Sequence, residues 1–231
     1  METKEVYALV VCPHADDAEF AAAGTVARWT REGKEVIYVV CTKGDKGTSD
    51  RTVKPEDLVA VREKEQLAAA RELGVREVVF LRYPDQGLED THGFRKDIVR
   101  QIRVFRPQVV LGPDPYRRYI WHRDHRIAGQ VVLDAVYPFA RDHLAYPDLL
   151  EQGYEPHRVK EIYMWSLDDV NYRSDISDTF DIKMAALRCH RSQVGEDFER
   201  IQGWLRERAA QLAQGETFAL AEGFHYVDIT W

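Results

Sequence analysis

Two segments far apart in the chain concentrate side chains that can bind metal. The first carries His14, Asp16, Asp17 and Glu19, and the second carries His122, Asp124 and His125. Imidazole nitrogen and carboxylate oxygen are ligands that suit zinc and its neighbours among the divalent metals. Metal-assisted hydrolysis needs a cation to activate water and a separate group to accept its proton. Three protein ligands with one open position meet the first need. His14 precedes a helix and Asp17 falls in its first turn, so both can converge above the preceding strand. Asp16 projects elsewhere. One aspartate of the pair can hold metal while the other accepts a hydrogen bond from water. In the second segment, two histidines around an aspartate fit a ligand beside a charge-assisted acid. Each segment alone also has a plainer reading. Acidic residues complement a helix N-terminus, and histidines at a helix start are often surface residues. His92, His143, His157, His190 and His225 have no such company and read as structural or surface groups.

The elements that must position these residues follow from the apolar pattern. Val6 to Cys12 is an unbroken apolar run closed by Pro13, and Asp16 to Glu32 reads as one helix stopped by Gly33. Val36 to Cys41, Val78 to Leu81 and Val109 to Leu111 read as further strands. Pro55 to Leu73, Gly93 to Phe105 and Asp124 to Tyr137 read as helices between and after them. Ile162 to Trp165 fits one more strand, and Asp181 to Cys189 and Asp197 to Gln214 fit helices. Strands that are apolar throughout, alternating with helices, predict a three-layer, Rossmann-like α/β fold with a mainly parallel sheet. Such sheets bind ligands beyond the C-terminal ends of their strands, which is where both segments fall. With no repeat or linker in view, residues 1–231 read as a single domain.

Composition narrows the function further. Hydrophobic residues make up 45% and charged residues 31%, which is a globular balance, and the formal net charge of -7 speaks against a nucleic-acid partner. No stretch approaches the roughly 20 apolar residues of a membrane span. The first residues lack the features of a secretory leader. Cys12, Cys41 and Cys189 are odd in number and form no CxxC pair, so they read as reduced thiols of a cytoplasmic protein.

Taken in order, the motifs resemble those of the PIG-L family of zinc-dependent N-acetyl-sugar deacetylases, also called LmbE-like proteins. His14-Ala15-Asp16-Asp17-Ala18-Glu19 resembles the family's His-Pro-Asp-Asp-x-Glu segment, with alanine where proline is usual. His122-Arg123-Asp124-His125 resembles its His-x-Asp-His segment. Thr42 to Thr48, Arg62 with Glu65, Asp85 to Leu88, His190 to Gln193 and Ala221 to Phe224 resemble further family stretches in the correct order. The resemblance implies that His14, Asp17 and His125 bind one zinc ion, or another divalent transition metal. It implies Asp16 as the general base toward water, His122 as stabiliser of the oxyanion and helper of the departing amine, and Asp124 as the group that orients or charge-couples His122. A raised pKa for His122 and an ionised Asp16 at neutral pH are expected with these roles. Arg62 is a candidate substrate contact, with a helix-surface ion pair as the plainer option. The Gly44 to Gly47 loop reads as a tight turn rather than a phosphate cradle. The implied activity is removal of acetyl from an N-acetylglucosamine-type sugar or small glycoconjugate, in a homo-oligomer that uses neither nucleic acid nor membrane. A metal-dependent phosphoesterase, or a non-catalytic sugar-binding relative of the same fold, is the alternative.

Overall fold

The computed structural model describes residues 5–165 and 168–230; the first four residues of the run examined for a leader lie outside them. The chain forms β1 (Ala8–Cys12), α1 (Asp17–Ala21), α2 (Ala23–Arg31), β2 (Val36–Thr42), α3 (Pro55–Glu72), β3 (Glu77–Tyr83), α4 (His92–Phe105), β4 (Val109–Pro113) and α5 (Arg123–Val136). It continues with α6 (Pro147–Glu151), β5 (Glu161–Trp165), β6 (Tyr172–Asp175), α7 (Phe180–Arg188), α8 (Arg191–Val194), α9 (Phe198–Leu212) and β7 (Ala221–Asp228).

The seven strands form one sheet in the order β3-β2-β1-β4-β5-β7-β6. β1 to β5 run parallel, and β7 is antiparallel to both β5 and β6. This is the expected three-layer α/β fold with a mainly parallel sheet. Alternate residues of a strand face opposite sides, so continuous apolar strands must be covered on both faces. Leu9, Val11, Ile37 and Val39 pack under α4 and α5 through Ile98, Ile102, Val131 and Val132. Ala8, Val10, Val36 and Tyr38 pack under α2 and α3 through Val26, Trp29, Ala69 and Leu73. A third apolar cluster joins α7 and α9 through Phe180, Leu187, Leu205 and Ala209. The sheet is built outward from β1 to β3 and then resumes on the other side at β4. The loops after β1 and β4 therefore diverge at the switch point, where a crevice forms. His14 follows β1 and His122 follows β4.

The sequence predicts one helix from Asp16 to Glu32, but two form, broken at Ala22 (φ -142°, ψ 0°). The cause comes from the far end of the chain. The Glu222 carboxylate on β7 accepts from the backbone N–H of Gly24 (2.9 Å) and Thr25 (2.8 Å), and from the Thr25 hydroxyl (2.6 Å). A buried anion there favours a fresh helix N-terminus. Gly24 is required by close approach, since a Cβ would sit 2.6 Å from Ile176 Cγ2. Glu222 is neutralised by Lys183, whose Nζ lies 2.6 Å from Oε1 and also donates to Phe20 O at 2.8 Å. Both side chains are almost wholly buried. Glu222→Gln leaves the ammonium without its counter-charge, and loss of one partner of a buried pair costs about 3–5 kcal/mol. Urea unfolding should register a loss of that size; a change below about 1 kcal/mol, the scale of a surface pair, would contradict the assignment.

Candidate metal centre and active site

The first segment folds into a tight structure at the end of β1. His14 N–H donates to Asp17 Oδ2 at 2.7 Å, which turns the aspartate back over the strand end. His14 Nδ1 lies 3.2 Å from Asp17 Oδ2, and His125 Nε2, from the first turn of α5, lies 3.0 Å from Asp17 Oδ1. The carboxylate thus stands between two imidazoles. Ligand atoms around a tetrahedral zinc lie roughly 3.3 Å apart, given metal–ligand bonds near 2.0–2.1 Å. The His14–Asp17 and Asp17–His125 spacings are both close to that separation.

The other side of the His14 ring meets a second group of acids. Nε2 is 3.2 Å from Asp124 Oδ2 and 3.2 Å from Asp85 Oδ1. Asp124 is fully buried, and its carboxylate also accepts from the backbone N–H of Gln86 (2.7 Å) and Leu88 (3.2 Å). Metal-ligating histidines commonly give one nitrogen to the ion and the other N–H to a carboxylate. His14 has both arrangements at once, with Nδ1 toward Asp17, and Nε2 toward Asp124 and Asp85. Two overlapping donor groups result, one of His14, His122 and His125, the other of His14, Asp85, His122 and Asp124. Burial opposes protonation of His14, yet Asp17, Asp124 and Asp85 together hold its pKa far above the ordinary imidazole range. This point of the fold favours added positive charge, which is what a divalent cation supplies.

Two expectations need correction. Asp124 does not orient His122 through a side-chain hydrogen bond; the carboxylate bonds to His14 and two backbone amides, while the expected charge coupling is present, since its charge acts to raise the His122 pKa. The Asp124 backbone N–H donates to His122 Nδ1 at 3.2 Å. Nor is the pKa of His122 raised. Burial lowers it, the charges of His14 and His125 lower it further, and Asp124 and Asp85 only partly offset them. The neutral ring then carries its proton on Nε2, since Nδ1 accepts. His122 is exposed, with its ring centroid 4.7 Å from that of His14 and 5.5 Å from that of His125.

Asp16 adopts φ 89°, a left-handed conformation that costs a non-glycine residue about 1–3 kcal/mol. Its N–H donates to Gln66 Oε1 at 3.1 Å, and Gln66 in turn donates to Glu19 at 3.0 Å. Glu19 is fully buried and faces His190 at 3.3 Å, away from the metal centre. Burial and the adjacent Asp17 charge raise the pKa of Asp16, with Arg62 and His190 pulling the other way. The expected full ionisation is therefore opposed by burial, and the short α1 does little to offset it because the Asp16 side chain makes no cap hydrogen bond to its first amides. Asp17 moves in the other direction. Burial works to raise its pKa, but His125 and His14 hold it far below the carboxylate range.

Arg62 is not the surface residue of the plainer option. It is buried, donating to Ala15 O (2.8 Å) and Lys46 O (3.2 Å), and lies 3.7 Å from Asp16 Oδ2 and 3.9 Å from Asp85 Oδ2. The glycine-bearing loop after β2 wraps this guanidinium. Gly44 has φ +61°, and a Cβ there would lie 3.0 Å from Arg62 Nη1. Sequence reasoning missed Asp85, Gln66 and the Glu19–His190 contact. The available signals were the Asp85 to Leu88 and His190 to Gln193 stretches.

Beyond Asp17 and His125 a cavity of about 250 Å³ opens between α1, α5, α7 and α9. No helix among the described residues is long and apolar enough to cross a membrane.

The family profile described as PIG-L, GlcNAc-PI de-N-acetylase, matches residues 9–136. The chain is 35% identical to a diacetylchitobiose deacetylase of Thermococcus kodakarensis, over 95% of this chain and 82% of that one. It is 28% identical to a 1D-myo-inositol 2-acetamido-2-deoxy-alpha-D-glucopyranoside deacetylase of Mycobacteroides abscessus, over 96% of this chain and 94% of that one. Among solved structures, the N,N'-diacetylchitobiose deacetylase of Pyrococcus horikoshii superposes with a TM-score of 0.91 at 32% identity. That match covers 96% of this chain and 84% of the other.

Proposed function

Because the chain belongs to the PIG-L family, we propose that it is an amidohydrolase that removes acetyl from an N-acetylglucosamine-type sugar, with one zinc ion held by His14, Asp17 and His125. The observation that carries this reading is the Asp17 carboxylate, set 3.2 Å from His14 Nδ1 and 3.0 Å from His125 Nε2. When bound, the metal acts as a Lewis acid toward the acetyl carbonyl and lowers the pKa of water. Another divalent transition metal would suit the same donors.

The remaining roles fall to residues of the chain. Asp16 takes the proton of the attacking water and passes one to the departing amine. His122, with its proton on Nε2, donates to the oxyanion as the carbonyl becomes tetrahedral and assists the amine's departure. Asp124 fixes the tautomer and orientation of His14. Arg62 holds Asp16 and the loop around it, and meets substrate only at the edge beside Asp16 and Asp85. We read the chain as one domain, since its sheet takes strands from both halves. We also read it as a cytoplasmic homo-oligomer. The free thiols Cys12, Cys41 and Cys189 and the exposed Tyr119 and Ile120 support this.

The test is acetate release from N-acetylglucosamine and diacetylchitobiose with zinc present, removed by a chelator and restored. We expect loss and recovery; no acetate from any such sugar would overturn the reading. The role given to Asp124 has its own check. Asp124→Asn should weaken zinc affinity by roughly 10–100-fold, as loss of a partner to a ligating histidine does. If affinity stays intact and only turnover falls, Asp124 serves His122 instead.

A further inference from the structure

The cavity beside Asp17 and His125 is not built for a small sugar alone. Its walls include Trp165, Ile176, Phe180, Leu205 and Leu212. Two arginines line it as well. Arg117 lies over the Trp121 ring at 4.5 Å, and Arg208 lies over the Trp204 ring at 5.6 Å. Both are half-buried. Neither has a hydrogen bond or an ion pair among the described residues; their aromatic neighbours are the only partners. The other charges of the cavity are accounted for. Lys183 is neutralised by Glu222, and Asp17 faces His14 and His125. Two guanidiniums lining one cavity repel each other, and a stacked guanidinium keeps its N–H edge free for an anion. Both guanidiniums line the one cavity, and burial first and the Arg117 charge second lower the Arg208 pKa.

We propose that Arg117 and Arg208 form a subsite for an anionic group, carboxylate or phosphate, borne on an apolar substituent of the substrate. The proposal rests on the deacetylase reading, which puts the acetamido end at Asp17 and His125. The apolar body of the substituent then fills the cavity between Phe180 and Leu205, and its charge meets the two arginines. A neutral substituent of the same size leaves both guanidiniums unpaired and partly desolvated.

The test compares ligands that differ only in that charge. Calorimetry on the zinc-loaded protein would measure binding of the phenyl, 4-carboxyphenyl and 4-phosphophenyl glycosides of glucosamine. At least one anion should bind about tenfold or more tightly than the phenyl glycoside, the scale of charge-assisted hydrogen bonds at a half-exposed site. The better anion identifies the source chemistry. The preference should shrink as salt is raised, and R117Q/R208Q, checked for folding by circular dichroism, should lose it. Equal binding of all three ligands would overturn the proposal. So would a salt-insensitive preference, or one kept by a folded double variant. Acetate release from the matching N-acetyl glycosides is read in parallel. Absence of acetate with the binding preference intact would count against the deacetylase reading and leave the anion subsite standing.

Discussion

Asp16→Asn should lower kcat by about two or more orders of magnitude, the lower bound for loss of a general acid–base group, while bound zinc stays at one per chain. The amide matches the carboxylate in size and can still lie beside Arg62, which stands 3.7 Å from Oδ2. The backbone bond from Asp16 N–H to Gln66 does not involve the side chain, so the strained turn at φ 89° is kept. What the variant lacks is a basic oxygen. The loss should appear in kcat with KM little changed, since the missing interaction is made in the transition state. Metal content by atomic absorption and steady-state acetate release are the two readouts. A zinc-loaded Asn variant with near-normal turnover would remove Asp16 from the mechanism.

Asp17→Asn should act through the metal instead. Asp17 sets one carboxylate oxygen against each of the two histidines proposed as ligands, and an amide cannot present an anionic oxygen to each. Its removal should cost more affinity than the roughly 10–100-fold typical of an outer partner, and turnover should fall to background without excess metal. Stability gives an independent readout. With free zinc at about a hundred times Kd, a protein that binds only when folded gains about 2.7 kcal/mol. The natural chain should show a rise in Tm on adding zinc, and the Asn variant should show none at the same concentration. A variant that still gained stability and activity at stoichiometric zinc would show that the ion is held elsewhere.

The contrast between these aspartates was only half legible in the sequence. The paired segments gave the right neighbourhood, because a ligand must be His or an acid and such residues cluster at strand ends. The sequence could not show that Asp124 passes over His122 to reach His14. That contact spans 110 residues and depends on how the first turn of α5 faces β1. The sign of the His122 shift is hidden for the same reason, since burial and then its neighbours in space, His14 and His125, lower it. Asp85 and Gln66 are single polar residues in a loop and a helix, and only tertiary approach gives them meaning.

The fold was legible where burial is uniform. β1, β2 and β4 are buried at every position, so each stands out as an apolar run. β7 does not, because it carries Glu222 and His225 among its apolar residues, and its pairing with β5 and β6 follows from no local pattern. The break at Ala22 was hidden because alanine favours a continuous helix, and the carboxylate that interrupts it arrives from β7.

The position of the metal itself is the most direct test. Crystals grown with zinc, measured on both sides of the zinc absorption edge, would locate it by anomalous difference density. One peak per chain is expected between His14 Nδ1, Asp17 and His125 Nε2, with Asp16 outside bonding distance. A peak instead on the Nε2 side of His14, among Asp85, Asp124 and His122, would contradict it.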